Sequence, residues 1–349
     1  MKLMKWVLFP LSILFWVITT LRNLMYQFGL LKSAAFDIPT IGIGNLAVGG
    51  TGKTPHTAYI ASTLIEKEQK IAILSKGYGR NTKDFKYVEI NNSPEKVGDE
   101  PLQAKNNFEN QIIAVDHDRV NGVLQLLYDH PNINCILLDD SFQHRKIKLG
   151  FNILLTQYNN LFYNDYILPV GLLREARINK NRANCIIITK CPENITEKKA
   201  NEIQEKLNFN GEVYFSKYKY CDEIQPLNVS EKSIKLKDIQ NVLLVTGIAN
   251  EQPIIDLLKL KDISINKLSF RDHHKYTKRD IEKIKKLFDT FASELIVLTT
   301  EKDAQKLKQF KELNKLPVFY IKIKIEFIWN KNIFDNKIID YVRKHQKNS

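Results

Sequence analysis

Residues 41–55, with the sequence IGIGNLAVGGTGKTP, decide the fold of this chain. The first of these residues are apolar and predict a buried strand, and the glycines that follow let the backbone turn its N–H groups inward. Lys53 and Thr54 stand where a helical pattern begins. A helix N-terminus carries free amides and the positive end of the helix dipole, so this turn can hold a polyphosphate. In such a phosphate-binding loop the lysine reaches the β- and γ-phosphates, and the hydroxyl group ligates Mg²⁺.

The predicted nucleotide-binding residues form one continuous run. They are Ala47, Val48, Gly49, Gly50, Thr51, Gly52, Lys53 and Thr54. The strict phosphate-loop pattern has a glycine five residues before Gly52, where this chain has Ala47. A Gly-Lys-Thr sequence without context is more often a solvated turn. The strand pattern before it and the helix pattern after it favour a nucleotide site.

The composition indicates a folded protein with a strongly positive surface. The chain has 349 residues, enough for one large or two ordinary domains. Lys and Arg number 52 against 39 Asp and Glu, a net charge of +13. Such a field favours nucleic acid, anionic lipid or phosphorylated substrates, but it can equally be a solvated cationic surface. Four cysteines without metal-binding spacing indicate a reducing, cytosolic setting.

Residues 1–33 differ from the rest of the chain. Residues 6–18 are almost wholly apolar, but this run is shorter than the roughly 20 residues that a spanning helix needs. Extending it to residue 31 would bury Arg22, Asn23 and Gln27 in the bilayer. We therefore expect a helix that lies in the membrane interface. A single membrane span and a helix packed only against the protein are the alternatives.

From residue 36 onward, apolar runs alternate with amphipathic stretches, which is typical of α/β proteins. The polar stretch at residues 220–237 separates two such series. We predict a phosphate-loop parallel sheet with helices on both faces at residues 34–225, and a second, smaller α/β domain at residues 226–349. Ligands are then expected at the carboxyl ends of the strands, in the cleft between the two domains.

Two acidic pairs follow predicted strands or loops. Asp139 and Asp140 end an apolar strand and resemble the acidic partner of a phosphate loop, where carboxylates hold Mg²⁺. They could instead cap a turn. Asp99 and Glu100 precede a proline, so helix capping is favoured over the role of a base for an attacking hydroxyl group.

Two further groups allow more than one interpretation. Asp272 is followed by two histidines, but a histidine pair without a third nearby ligand is weak evidence for a metal site. Arg174 and Glu175 could form a surface ion pair, or Arg174 could bind phosphate.

The motifs GIGNLAVGGTGKTP, SKGYGR, VGDEP, LLDDSFQHR, LPVGLLREA, VTGIAN, FRDHHKY and LTTEKDA occur in that order. Over residues 39–303 the chain thereby resembles the tetraacyldisaccharide 4′-kinase family, the lipid A 4′-kinases of Gram-negative bacteria. The resemblance implies transfer of the ATP γ-phosphoryl group to the 4′-hydroxyl group of a tetraacylated disaccharide 1-phosphate, with Mg²⁺. It also implies work at the cytoplasmic face of the inner membrane on a membrane lipid. Neither nucleic acid nor an obligate protein partner is expected.

The resemblance also assigns roles to single residues. Lys53 would stabilise the β- and γ-phosphates, while Thr54, Asp139 and Asp140 would hold the metal. Asp99 would accept the proton of the sugar hydroxyl group, with His273 as its partner, which reverses the preference for a cap at Asp99. The residues expected to line the phosphate and sugar region are Glu100, Arg119, Gln143, His144, Arg174 and Glu175.

Three positions depart from the family pattern, namely Ala47, Ser141 and Lys76. Ala47 stands where a hydroxyl residue is frequent, and Lys76 where arginine is. Ser141 stands where glycine is usual, so a left-handed backbone there would cost roughly 1 kcal/mol or would shift the turn.

Two other functions compete with this interpretation. One is a phosphate-loop kinase or ligase that acts on a soluble metabolite, which leaves the apolar amino terminus without a purpose. The other is a nucleotide-dependent, nucleic-acid-binding switch, which the net charge suggests and which predicts steeply salt-dependent binding.

Overall fold

The computed structural model describes residues 2–228, 231–272, 274–291 and 295–346. The chain begins with helix α1 (Lys2–Gln27) and then forms two sheets. The strands that follow are β1 (Thr40–Asn45), β2 (Ile71–Ser75), β3 (Lys86–Tyr87), β4 (Ile112–Val115), β5 (Cys135–Asp139), β6 (Phe151–Gln157), β7 (Cys185–Thr189) and β8 (Glu212–Tyr220). The helices among them are α2 (Lys53–Ile65), α3 (Pro94–Val97), α4 (Asp99–Asn107), α5 (Arg119–Asp129) and α6 (Glu197–Leu207).

The first sheet has the predicted parallel arrangement. Strand β1 is central and pairs in parallel with β5 and β6, and β2, β4, β7 and β8 extend the parallel ladder on either side. The central strands are buried on both faces because helices cover both. Alternate residues of β5 show this: Leu137 packs with α2, α4 and the carboxyl-terminal helix, and Leu138 packs with α5.

The second sheet is smaller and is also covered by helices. Its elements are β9 (Glu223–Pro226), β10 (Ile234–Lys235), β11 (Asn241–Thr246), α7 (Gln252–Leu260), β12 (Ser264–Ser269), α8 (Lys278–Thr290), β13 (Leu295–Thr300), α9 (Glu301–Leu307) and β14 (Val318–Ile321). Strands β14, β13, β11 and β12 are parallel, and β9 and β10 add an antiparallel edge. The predicted α/β class, with a second and smaller α/β unit, is confirmed.

The carboxyl terminus returns to the first sheet instead of staying with the second. Strand β15 (Ile323–Phe327) pairs antiparallel with β8, and helix α10 (Lys331–Gln346) packs on α2. The physical reason is apolar burial: Phe327 and Phe334 stack with ring centroids 4.7 Å apart inside the first core. The segment predicted as residues 226–349 is thus shared between the two sheets.

Helix α1 is one continuous helix of 26 residues with Pro10 inside it. Residues 7–27 are long and apolar enough to cross a membrane by length and composition. Several of its apolar side chains are exposed, among them Trp16 and Leu21. Its polar side chains Ser12 and Asn23 are buried and hydrogen-bonded to the segment 167–175. The helix therefore presents an apolar surface on one side and contacts the protein on the other.

Candidate active site

The loop between β1 and α2 lies at the carboxyl end of the central strand, where an α/β sheet binds its ligands. Gly52 precedes α2 with φ 93° and ψ 26°, and no side chain caps the helix there. A left-handed backbone of this kind suits glycine, which has no Cβ atom. The amides of the first turn of α2 are therefore directed at the space above the loop, where a phosphate can accept them.

Side chains from neighbouring strands hold the loop from below. Asn45 Nδ2 donates to Thr51 Oγ1 at 2.9 Å, and Thr189 Oγ1 donates to the carbonyl oxygen of Thr51 at 2.8 Å. Lys190 Nζ lies 2.6 Å from the carbonyl oxygen of Gly50. The loop carbonyl groups are thus tied to β7 and its exit, and so point away from the place that an anionic ligand would take.

His56 closes the back of the loop, a role that the sequence did not indicate. Its Nδ1 donates to the carbonyl oxygen of Gly52 at 2.7 Å, and its Nε2 lies 2.9 Å from Ser216 Oγ on β8. Complete burial is the main reason that the pKa of His56 is lowered to about 4. The imidazole is therefore neutral at neutral pH and joins α2 to β8.

Asp139 and Asp140 lie beside the loop, as the sequence predicted. Asp139 Oδ2 lies 3.5 Å from Thr54 Oγ1, and Asp139 Oδ1 accepts from Thr57 Oγ1 at 3.3 Å. Asp140 faces two cations, Lys53 Nζ at 3.8 Å and Arg174 Nη2 at 3.1 Å. Of the two carboxylates, Asp139 is therefore the one placed next to the hydroxyl groups of α2.

The electrostatics of Asp139 suit a cation. Burial, together with the negative charges of Glu100 and Asp140, raises the pKa of Asp139 to about 7, although Lys53 opposes the shift. A divalent cation would relieve this repulsion. In the part of the chain that the structure describes, no group of three or more His, Cys, Asp or Glu side chains forms a metal cluster. Mg²⁺ needs no such cluster, because it binds through one or two carboxylates, water and substrate phosphates.

The turn after β5 differs from what Ser141 suggested. The left-handed residue is Asp140, with φ 47°, while Ser141 is outside that region. Ser141 is buried, and its Oγ donates to the carbonyl oxygen of Leu138 at 3.1 Å. The strain thus falls on Asp140, whose two cationic partners offset it.

Arg174, Gln143 and Glu175 meet at the end of β1. Arg174 Nη2 and Gln143 Nε2 both donate to the carbonyl oxygen of Asn45, at 3.0 and 2.8 Å. Arg174 also contacts Asn45 Oδ1. Glu175 has no solvent exposure, and its carboxylate accepts hydrogen bonds from Gln143, Arg182 and Asn23. Arg174 therefore reaches Asp140 in the open part of the site, and Glu175 lies behind it.

Arg119 and His144 lie on the other side of the Asp139 turn. Arg119 is buried and donates to the carbonyl oxygens of Asp116 and Asp139. Burial lowers the pKa of Arg119 to about 10, so the guanidinium group stays charged at neutral pH. Burial and the charge of Arg119 lower the pKa of His144 to about 4. Arg119 thus supports the turn that carries the two aspartates.

Asp99 is the first residue of α4, the helix that packs against α9 of the second α/β unit. Its Oδ1 accepts from the backbone N–H of Glu100 at 3.0 Å, and its Oδ2 lies 3.3 Å from Lys306 Nζ on α9. Lys302 Nζ lies 3.6 Å from Glu100 Oε1. The sequence did not single out these two lysines, although Lys302 is inside the motif LTTEKDA and Lys306 lies two residues after it. The predicted partner His273 lies outside the described residues.

The comparisons with known proteins agree with this arrangement. The family model described as tetraacyldisaccharide-1-P 4′-kinase matches residues 4–343. A tetraacyldisaccharide 4′-kinase of Flavobacterium psychrophilum is 42% identical over 354 residues and covers 100% of both chains. The enzyme of that name from Flavobacterium johnsoniae is 40% identical over 347 residues, with 99% of each chain covered.

A solved structure supports the same conclusion. The crystal structure of LpxK from Aquifex aeolicus in complex with ATP is 28% identical and superposes with a TM-score of 0.75, covering 97% of this chain and 99% of that one. The predicted family and the predicted class of enzyme are therefore confirmed. The chain belongs to the tetraacyldisaccharide-1-P 4′-kinase family, and it is a kinase.

Proposed function

We propose that this chain transfers the γ-phosphate of ATP to the 4′-hydroxyl group of tetraacyldisaccharide 1-phosphate, which gives lipid IVA in lipid A biosynthesis. One observation carries the proposal: an uncapped α2 N-terminus lies beside the carboxylates that end β5, in a chain whose full-length relatives have this name. Phosphoryl transfer asks a protein mainly for positioning and charge stabilisation. This site supplies both.

The donor half of the site is built from α2 and the turn after β5. Lys53 is the first residue of α2, and its Nζ lies 3.8 Å from Asp140 at the open side of the loop. From this position its positive charge would neutralise charge on the β- and γ-phosphates. Thr54, Asp139 and Asp140 fit Mg²⁺, whose oxygen ligands they match. When bound, Mg²⁺ would offset the negative charge of the phosphates. Arg174 would hold Asp140 in place through its 3.1 Å contact.

The acceptor half is built around Asp99. In the proposed step the acceptor oxygen forms a bond to the γ-phosphorus, the bond to the β-phosphate oxygen breaks, and Asp99 takes the hydroxyl proton. The carboxylate that would take the proton is positioned by Lys306, whose ammonium nitrogen lies 3.3 Å from Asp99 Oδ2. The partnership with His273 is part of the proposal through the family resemblance.

The site is proposed to work at the cytoplasmic face of the inner membrane. A four-chain lipid does not leave a bilayer cheaply, since each buried methylene group is worth about 0.8 kcal/mol. The family and the candidate spanning segment at residues 7–27 together indicate membrane association. The exposed apolar side of α1 would bring the site to the lipid, so a soluble metabolite is the weaker alternative substrate.

A γ-phosphate transfer assay with the tetraacyl disaccharide in detergent micelles tests the base. Asp99→Asn should lower kcat by about a hundredfold or more while ATP binding persists, because the proton acceptor is lost and the phosphate loop is unchanged. Glu205→Gln, an exposed carboxylate on α6, is the matched control and should keep the wild-type rate. A wild-type kcat for Asp99→Asn would refute the assignment. Equal turnover of the acylated and the deacylated disaccharide would favour the soluble substrate instead.

A further inference from the structure

Glu175 is a buried carboxylate with three side-chain donors from different parts of the chain. It has no solvent exposure. Its Oε1 accepts from Gln143 Nε2 at 2.8 Å and from Arg182 Nη2 at 2.7 Å, and its Oε2 accepts from Asn23 Nδ2 at 2.8 Å. A buried charge is costly unless such partners satisfy it. The position of the carboxylate is therefore fixed by all three donors together.

Asn23 is the donor that comes from α1. It is 6% exposed, although it lies on a helix whose neighbouring apolar side chains Leu21 and Leu24 are open to solvent. A buried asparagine on such a helix is expensive unless it is hydrogen-bonded. Its bond to Glu175 spans 152 positions in sequence, so α1 is joined to the site by a specific polar contact as well as by packing.

From Glu175 a chain of hydrogen bonds leads to the phosphate loop. Gln143 Nε2 contacts both Glu175 and the carbonyl oxygen of Asn45, each at 2.8 Å. Asn45 Nδ2 then donates to Thr51 Oγ1 at 2.9 Å. Asn45 is the last residue of β1, and Thr51 is inside the loop. A shift of Glu175 would therefore move the strand end from which the loop begins.

We propose that Asn23 is a positioning residue of the kinase reaction, which acts through Glu175 and Gln143 on the phosphate loop. Helix α1 is then a structural part of the nucleotide site in addition to any role as an anchor. Removal of the Asn23 amide leaves one oxygen of a buried carboxylate without its donor. The carboxylate then reorients, and Gln143 and the end of β1 follow it.

Ser12 supplies a matched control on the same helix. Its Oγ donates to the carbonyl oxygen of Ile167 at 3.0 Å and accepts from the N–H of Val170 at 3.1 Å. Ser12→Ala therefore loosens α1 from the same segment of the chain without touching Glu175. If α1 is only an anchor, Ser12→Ala and Asn23→Ala should behave alike.

The test measures transfer rates of the full chain in detergent micelles, with ATP and the lipid varied separately. Asn23→Ala should lower kcat/KM for ATP about tenfold, the effect of one lost hydrogen bond to a charged group. The KM for the lipid should change by less than about twofold, and Ser12→Ala should change either constant by less than about twofold. Binding of ATP without lipid, measured by calorimetry, should weaken in Asn23→Ala alone.

A double-mutant cycle with Gln143→Ala separates the path from a general loss of packing. If Asn23 acts through Gln143, the losses in kcat/KM for ATP should be less than additive for Asn23→Ala, and additive for Ser12→Ala. Equal effects on ATP and lipid, or additivity in both cycles, would overturn the proposal. If Asn23→Ala does not fold, Asn23→Ser replaces it in both experiments, because the serine hydroxyl group is a donor on a shorter side chain.

Discussion

Helices α2 and α9 both begin after a parallel strand, but their N-termini differ: that of α2 has no side-chain cap, and that of α9 has one. Each follows an inner parallel strand, β1 in the first sheet and β13 in the second. Helix α2 follows a glycine-rich loop and has no side-chain cap. Helix α9 follows β13 directly, and Thr300 Oγ1 accepts from the backbone N–H of Asp303 at 3.1 Å.

The difference shows which strand end can receive an anion. At α9 the carboxylate of Asp303 is already in place: it accepts from Thr300 Oγ1 at 2.8 Å and from the N–H of Gly247 at 2.9 Å. At α2 the first-turn amides have no such acid of their own. A strand–helix junction thus becomes a phosphate site when glycines leave its first-turn amides uncapped, and a structural joint when a threonine caps an amide and an aspartate of the first turn binds that threonine.

The largest expected effect comes from the first-turn lysines of the two helices. Lys53→Met should lower kcat/KM by about a thousandfold, because a preorganised charge beside the phosphates is lost. Lys302→Met removes the same charge from the first turn of α9, where it lies 3.6 Å from Glu100 Oε1, and should cost less than about tenfold. The γ-phosphate transfer assay measures both, with thermal unfolding as a check of the fold. Similar losses for the two variants would contradict the division between an open and a filled junction.

Next in size is the left-handed glycine. A Cβ atom at Gly52 would lie 2.6 Å from Tyr218 Oη, and φ there is +93°. Gly52→Ala should therefore lower the free energy of unfolding by about 1–2 kcal/mol. Gly50→Ala is the matched control, because a Cβ atom there would have no other atom within 4 Å and the φ of Gly50 is outside the left-handed region. Urea unfolding of both variants makes the comparison, and equal stabilities would refute this account of the loop.

The sequence predicts correctly those parts of the molecule that depend on residues close to one another in the chain. The loop at residues 47–54, the aspartates after β5 and the alternation of strands and helices all have short-range signals, and the structure brings Lys53, Thr54, Asp139 and Asp140 together as expected. Their meeting follows from topology, because neighbouring parallel strands β1 and β5 end at the same edge of the sheet.

The other parts depend on contacts between distant residues. Strand β15 has an ordinary strand pattern, and nothing in it tells which sheet edge it joins; the burial of Phe327 and Phe334 decides that. The hydrogen bond between Asn23 and Glu175 joins two buried polar side chains that are 152 positions apart in sequence, so no local pattern indicates it. Lys306 looks like any other lysine of a basic chain until the two sheets pack and place it beside Asp99.

A pH-dependent effect of similar size concerns His56, which supports the open junction from behind. Its folded-state pKa is lowered to about 4, so the folded chain resists protonation of His56 and the unfolded chain does not. The resulting stability is present above about pH 6.5 and is lost as the pH falls toward about 4. Between about pH 7 and about pH 5 the wild-type chain should lose roughly 2 kcal/mol more than His56→Gln.

Urea unfolding of both chains at the two pH values measures that difference. Gln is neutral at both pH values, so His56→Gln keeps the acid sensitivity of all other groups. It is therefore the baseline from which the contribution of His56 in the wild-type chain is measured. An identical pH dependence in the two chains would show that His56 does not titrate below its ordinary pKa.

The smallest expected effect tests the filled junction itself. Thr300→Ala removes the cap of α9, so it should lower the free energy of unfolding by about 1 kcal/mol. The loss should appear in stability and leave KM for ATP within about twofold of wild type, since this cap belongs to α9 and not to the phosphate loop before α2. Thr300→Ser keeps the hydroxyl group that accepts from Asp303 N–H and donates to its carboxylate, and should restore most of the stability. A KM for ATP that rises severalfold in Thr300→Ala but not in Thr300→Ser would mean that this junction also takes part in nucleotide binding.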